Sequence, residues 1–202
     1  MARRLVGLCS HRRCSAAVAD DEASTREVSA MGEAMADTLE LRPFAEADFT
    51  ELKRWFVDQA ALTTWGGPGL VHPLDDSQLS AMLDDPHSEP PRRVIWAVKH
   101  GTAMIGHGQI VLGPERASAH LARIAVAPEW RGRGVGEWLV RALLSKAFET
   151  ASVGDVTLKV YVHNHAAHKL YEKLGFRLAS PEAGVVDGVH LMTLPRAGWS
   201  TT

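Results

Sequence analysis

Residues 124–140, IAVAPEWRGRGVGEWLV, constrain the fold more than any other stretch. An apolar run reads as a strand, Pro128 stops it, and the amphipathic segment that follows reads as a helix. Between the two, Gly132, Gly134 and Gly136 alternate with single residues. Such a turn leaves the first backbone N–H groups of the helix free, with the positive end of the helix dipole behind them. Where no Cβ intervenes, an oxygen anion can approach the main chain closely, so the unit is suited to bind phosphate. Arg131 and Arg133 add charge at the same place. The P-loop is excluded, because Gly136 is followed by Glu137 and Trp138 rather than by Lys and Ser or Thr. The dinucleotide fingerprint fails too: the spacing is GxGxG, and no acidic residue ends the next strand, VTLKVYVHN. A tight turn without a ligand is the plainer alternative.

The rest of the chain supplies one domain around this turn. Its 202 residues, 46% hydrophobic and 23% charged, suffice for a single core of ordinary soluble composition. A net charge of −2 provides no basic field for nucleic acid. No apolar run reaches the length of about 18 residues that a membrane-spanning helix needs. Cys9 and Cys14 lie near the N-terminus, cannot staple the domain and suit a reducing compartment, so a cytoplasmic location is expected.

Residues 1–37 differ from the remainder. Arg3, Arg4, Arg12 and Arg13 sit in an Ala/Ser-rich stretch followed by Asp20, Asp21 and Glu22. The apolar segment LVGL is too short for a secretory signal, and the acidic residues argue against a transit peptide. The segment reads as a disordered leader, or as sequence upstream of a true start at Met31 or Met35, with the domain occupying 38–202.

From Thr38 the punctuation is regular. TLELRP is a strand, and Phe49, Leu52, Trp55 and Phe56 predict a helix over 46–60. TTWGGPGLVHP reads as a loop, 75–83 as a short Asp-capped helix, and DDPHSEPPR as a second loop. VIWAVKHGTAMIGHGQIVL is two strands turning at His100 and Gly101, and AHLARIAV is a fourth. A helix over 135–148, the strand VTLKVYV, a helix over 164–174 and short strands near 176–178 and 190–194 complete the series.

RGRGVG fits the Q/R-x-x-G-x-G/A signature of the GNAT superfamily of N-acetyltransferases, with Arg131, Gly134 and Gly136 in its positions. RIAVAPEW, VYVHNHAAHKLYEKLGF and the opening LELRPFAEADF resemble other parts of that family, so the resemblance spans about residues 38–195. It implies an α+β fold: a mostly antiparallel mixed sheet of six to seven strands, splayed between the fourth and fifth, with about four flanking helices. It also implies acetyl-CoA as co-substrate in the gap.

On that resemblance, the pyrophosphate of the coenzyme lies on the N–H groups of Gly132, Arg133, Gly134, Val135 and Gly136, beside Arg131. The pantetheine arm pairs with the backbone of Ile124, Ala125 and Val126 as an added strand. Asn164 is a good N-cap and, by resemblance, also meets the cofactor. Tyr171, on the same helix face as Asn164, is by resemblance the acid that protonates the departing thiolate, with a core aromatic as the alternative. An amine must lose a proton before it attacks, and an N–H on the fourth strand can hold the oxyanion. His120 falls where many relatives carry a glutamate; it reads either as the general base or as a structural histidine. No covalent intermediate is needed. His163, His165 and His168 cluster without a carboxylate or cysteine to complete a set, so no metal is expected.

The resemblance implies an amine acceptor: a small molecule, or the N-terminus of a protein or peptide. The segment TTWGGPGLVHPLDD would shape its pocket, with Trp65 as an apolar wall or a core plug, and Asp75 and Asp76 as amine attractors or helix caps. A homodimer is left open. The reading from another class is a catalytically silent module that binds an acyl-CoA as a sensor or interaction domain; Tyr171 beside the full cofactor motif favours the enzyme.

Overall fold

Seven strands form one sheet in the order β1-β2-β3-β4-β5-β7-β6 in a computed structural model that describes residues 38–83, 92–179 and 188–200. The strands are β1 (Leu39–Pro43), β2 (Arg93–His100), β3 (Ala103–Leu112), β4 (Ser118–Val126), β5 (Asp155–Tyr161), β6 (Arg177–Leu178) and β7 (Val189–Pro195). The helices are α1 (Phe49–Arg54), α2 (Gln59–Gly66), α3 (Asp76–Leu83), α4 (Val135–Glu149) and α5 (His165–Lys173). All of these elements lie within Leu39–Thr202, one of two units into which the chain divides. The expected leader, and residues 84–91 of the second expected loop, lie outside the described residues.

The helix expected over 46–60 is a short turn and two helices. The chain leaves α1 at Trp55, runs with Val57 78% exposed, and restarts because the Asp58 carboxylate accepts the Ala61 N–H at 2.7 Å. Residues 63–66, expected in a loop, therefore lie in α2, and the described residues hold five α-helices where about four were expected. The other expected elements fall within a few residues of their predicted bounds.

Two cores flank the sheet. Phe44, Phe49, Leu52, Leu62, Leu79 and Met82 pack over one face with Ile95 and Ala97. Along α4, Val135, Leu139, Leu143 and Ala147 recur every four residues and are almost wholly buried. A fully buried leucine contributes roughly 1.5–3 kcal/mol, so this face anchors α4 firmly and with it the turn that precedes it.

All strand pairings but one are antiparallel; β4 and β5 are parallel, and their pairing is short. It runs from Ser118↔Asp155 to Leu121↔Leu158 and stops there. Beyond this point β4 continues against β3 as far as Val126, while β5 continues against β7 as far as Tyr161. The sheet thus opens between its fourth and fifth strands, and the facing edges lose their partners. A bulge sits at the opening: Gln109 faces Ala122 and His107 faces Ala125, so β4 carries one extra residue. Arg123, in the bulge, has φ +48°, the left-handed region that side-chain-bearing residues seldom enter.

Candidate active site

The opening is a cavity of about 990 Å³. One wall is β4 from His120 to Ile124, the other is β5 from Leu158 to Tyr161, and Asn164 and Tyr171 of the α5 region close one end. Thr64, Trp65, Gly66, Gly67 and Pro68, from the segment TTWGGPGLVHPLDD, also line the cavity.

Tyr171 is 8% exposed, packs edge-on against Phe176 at 5.8 Å between ring centres, and borders the cavity. Burial pushes its phenol up to about 12, so it stays protonated at neutral pH. Asn164 caps α5: its side-chain oxygen accepts the Ala167 N–H at 3.3 Å while the residue borders the same cavity.

His120 faces the cavity from β4, its Nδ1 2.9 Å from the Thr157 hydroxyl on the parallel neighbour β5. Thr157 in turn lies 3.4 Å from the Ala119 carbonyl, which can only accept. The hydroxyl can donate to Nδ1 or accept from it, so either ring nitrogen can carry the proton of the neutral imidazole. Burial, then the charge of Lys159, lowers the imidazole pKa and favours this neutral form.

The glycine turn lies at the other end of β4, outside the cavity lining. Gly132 and Gly134 have φ +75° and +85°, and a Cβ at either would meet no protein atom within 4 Å. Gly134 is the N-cap of α4 and makes no side-chain capping hydrogen bond. Arg131 donates from Nε to the Val126 carbonyl at 3.1 Å, and Arg133 lies over the Trp130 ring at 5.4 Å. Glu137, in the first turn of α4, is held by Lys173 at 2.6 Å and Arg141 at 3.3 Å. Ile124 borders the cavity, and Ala125 and Val126 follow it, half-buried, toward the turn.

The aspartates take the helix-capping and pairing roles. Asp75 accepts the Gln78 N–H at 2.9 Å and Asp76 pairs with Lys53 at 2.6 Å; neither borders the cavity. Trp65 stacks on Phe56 at 4.5 Å, borders the cavity, and donates from Nε1 to the Arg123 carbonyl at 2.7 Å. Of the three clustered histidines, His168 faces His190 with ring nitrogens 3.3 Å apart, and His163 lies against Tyr161. The described residues contain no group of three or more metal-ligating side chains.

Sequence reasoning missed Arg93, Arg123 and Lys159, which also line the cavity. The signal was present for Arg123: a lone charge between Ala122 and Ile124 in a central strand needs a reason to be there.

The chain is 26% identical over 103 residues to an uncharacterized N-acetyltransferase of Mycobacterium bovis, a match covering 51% of this chain and 65% of that protein. It is 37% identical over 83 residues to the [ribosomal protein bS18]-alanine N-acetyltransferase of Salmonella typhimurium, covering 38% of this chain and 55% of that one. The matches thus span less than two thirds of these relatives. A crystal structure of spermidine N-acetyltransferase from Vibrio cholerae, in complex with CoA and spermine, shares the fold: TM-score 0.64, 22% identity, 80% of this chain and 98% of that chain. The family model described as "Acetyltransferase (GNAT) family" matches residues 49–176. With that match covering more than half of the sequence and the seven-stranded sheet sharing the fold of such an enzyme, the chain belongs to this family.

Proposed function

We propose that the protein transfers an acetyl group from acetyl-CoA to a primary amine by direct attack. The observation that carries this reading is the parting of β4 from β5 after Leu121 and Leu158, which leaves a strand edge bordered by a protonated phenol and a neutral imidazole. When bound, acetyl-CoA supplies the acetyl thioester. Gly132, Arg133, Gly134, Val135 and Gly136 hold its pyrophosphate through main-chain N–H groups, with Arg131 beside them. The open space where Cβ atoms of residues 132 and 134 would stand fits such an approach. Ile124, Ala125 and Val126 lie on the unpaired edge of β4 and can take amide groups as an added strand would. Asn164 meets the arm near its thiol end.

In the chemical step the amine nitrogen bonds to the carbonyl carbon, and the C–S bond breaks as the oxyanion collapses. His120 takes the proton that the amine sheds, directly or through water. A main-chain N–H of β4 beyond Leu121 stabilises the oxyanion. Tyr171, which burial keeps protonated, gives its proton to the departing sulfur. The amines named for relatives, a polyamine in one and a protein alanine in another, support the acceptor class. The test is a panel of amines assayed for CoA release, with calorimetry of CoA in parallel. Amine-dependent release is expected; CoA binding without release to any amine would favour the silent module.

A further inference from the structure

The cavity carries a charge that acetyl transfer does not use. Arg93, Arg123 and Lys159 border it, and no carboxylate does among the described residues. Arg123 is fixed from two sides, its carbonyl accepting from Trp65 Nε1 at 2.7 Å and from His107 Nδ1 at 2.9 Å across the bulge. Its guanidinium is less well served. Nη1 reaches the Gln109 side-chain oxygen at 3.3 Å, an oxygen that also takes Arg93 Nη1 at 3.2 Å. Nε of Arg123 is buried with no acceptor. Burial, and then the charge of Arg93, lowers the Arg123 pKa. A half-buried guanidinium that shares one neutral oxygen with a second cation is poorly compensated, and an anion is the group that would compensate it.

We propose that the acceptor carries a carboxylate as well as its amine, and that Arg123 binds that carboxylate on the wall of the cavity that also holds His120. A guanidinium fork matches a carboxylate in two parallel hydrogen bonds. The pyrophosphate of the coenzyme is not the anion in question, because residues 131–136 lie outside this cavity. A polyamine would meet like charge here, and the aspartates that might have drawn it are engaged elsewhere, Asp75 as a cap and Asp76 with Lys53. An amino acid or a similar zwitterion, its amine toward His120 and its carboxylate on Arg123, fits the charges present. The assignment rests on the amine-acetyltransferase reading above.

The experiment uses the full chain, saturating acetyl-CoA and amine pairs that differ by one carboxylate: β-alanine and ethylamine, L-lysine and cadaverine, L-phenylalanine and phenethylamine. Wherever a pair reacts, the member with the additional carboxylate should have the higher kcat/KM, by roughly 10²-fold. Arg123→Gln should bring that ratio toward one, mainly through the KM of the carboxylate-bearing member, and Arg123→Lys should keep part of it. Equal or better use of the members lacking that carboxylate, or a ratio that Arg123→Gln leaves intact, would overturn the assignment while leaving acetyl transfer standing. If no member of any pair is acetylated, the reading beneath it fails and the assignment fails with it.

Discussion

Tyr171 and Asn164 show how one side chain can serve packing and chemistry together. Asn164 caps α5 with its oxygen and still borders the cavity. Tyr171 packs its ring edge-on against Phe176 and also borders the cavity. Tyr171→Phe should therefore keep the packing and leave CoA affinity within a few-fold, while turnover falls by roughly 10²-fold, the lower end for a lost proton donor. A thioester with a more acidic leaving thiol should narrow the deficit. Steady-state rates with both thioesters, alongside melting curves, check this; wild-type turnover in the mutant on acetyl-CoA would remove Tyr171 from the chemistry. At this scale the sequence was uneven. The motif-borne residues stood out because spacing announces them. Arg123 did not, because its position depends on a bulge that places one more residue in β4 than β3 can pair, and no local pattern announces a bulge.

At the scale of elements, the turn before α4 combines two demands. Left-handed backbone at Gly134 disfavours any Cβ, yet the space around it is open, so the protein itself has no need to keep that space clear. Substitution by Asn, which tolerates the left-handed region better than most residues, separates strain from ligand contact. Gly134→Asn should lower the melting temperature by only a few degrees and weaken CoA tenfold or more, since each lost anion hydrogen bond costs about 1.5–3 kcal/mol. Calorimetry checks this, and unchanged affinity would remove the phosphate from the turn. Strands and α4 were legible because their apolar periods are long. The break between α1 and α2 was not, because Phe49, Leu52, Trp55 and Phe56 continue the helical spacing, and only the Asp58 cap reveals the restart.

At the scale of the whole molecule, the buried face of the sheet carries a histidine that links stability to pH. His107 donates from Nδ1 to the Arg123 carbonyl, while Nε2 is buried without a partner beside Phe44 and Trp65. Burial above all brings its pKa from 6.5 down to about 4, with the Arg123 charge acting the same way and Asp48 opposing it. The unfolded chain takes up this proton below about 6.5, whereas the folded chain holds out until about 4, so stability falls as pH drops between the two. The gap is worth roughly 3 kcal/mol in the limit. His107→Asn should be less stable at pH 7 yet show a shallower loss of stability on acidification to pH 4.5. Denaturant titrations across that range check this, and equal slopes would assign the dependence to other groups.

In the proposed reaction both reactants meet in the opening between β4 and β5 before any bond breaks, so initial rates measured while acetyl-CoA and an accepted amine are varied together test it most directly. Amine-dependent release of CoA with intersecting double-reciprocal lines is the expected result, since direct attack requires both substrates on the protein at once. Parallel lines, the mark of an acetylated enzyme intermediate, would contradict it, as would CoA binding that no amine converts into turnover.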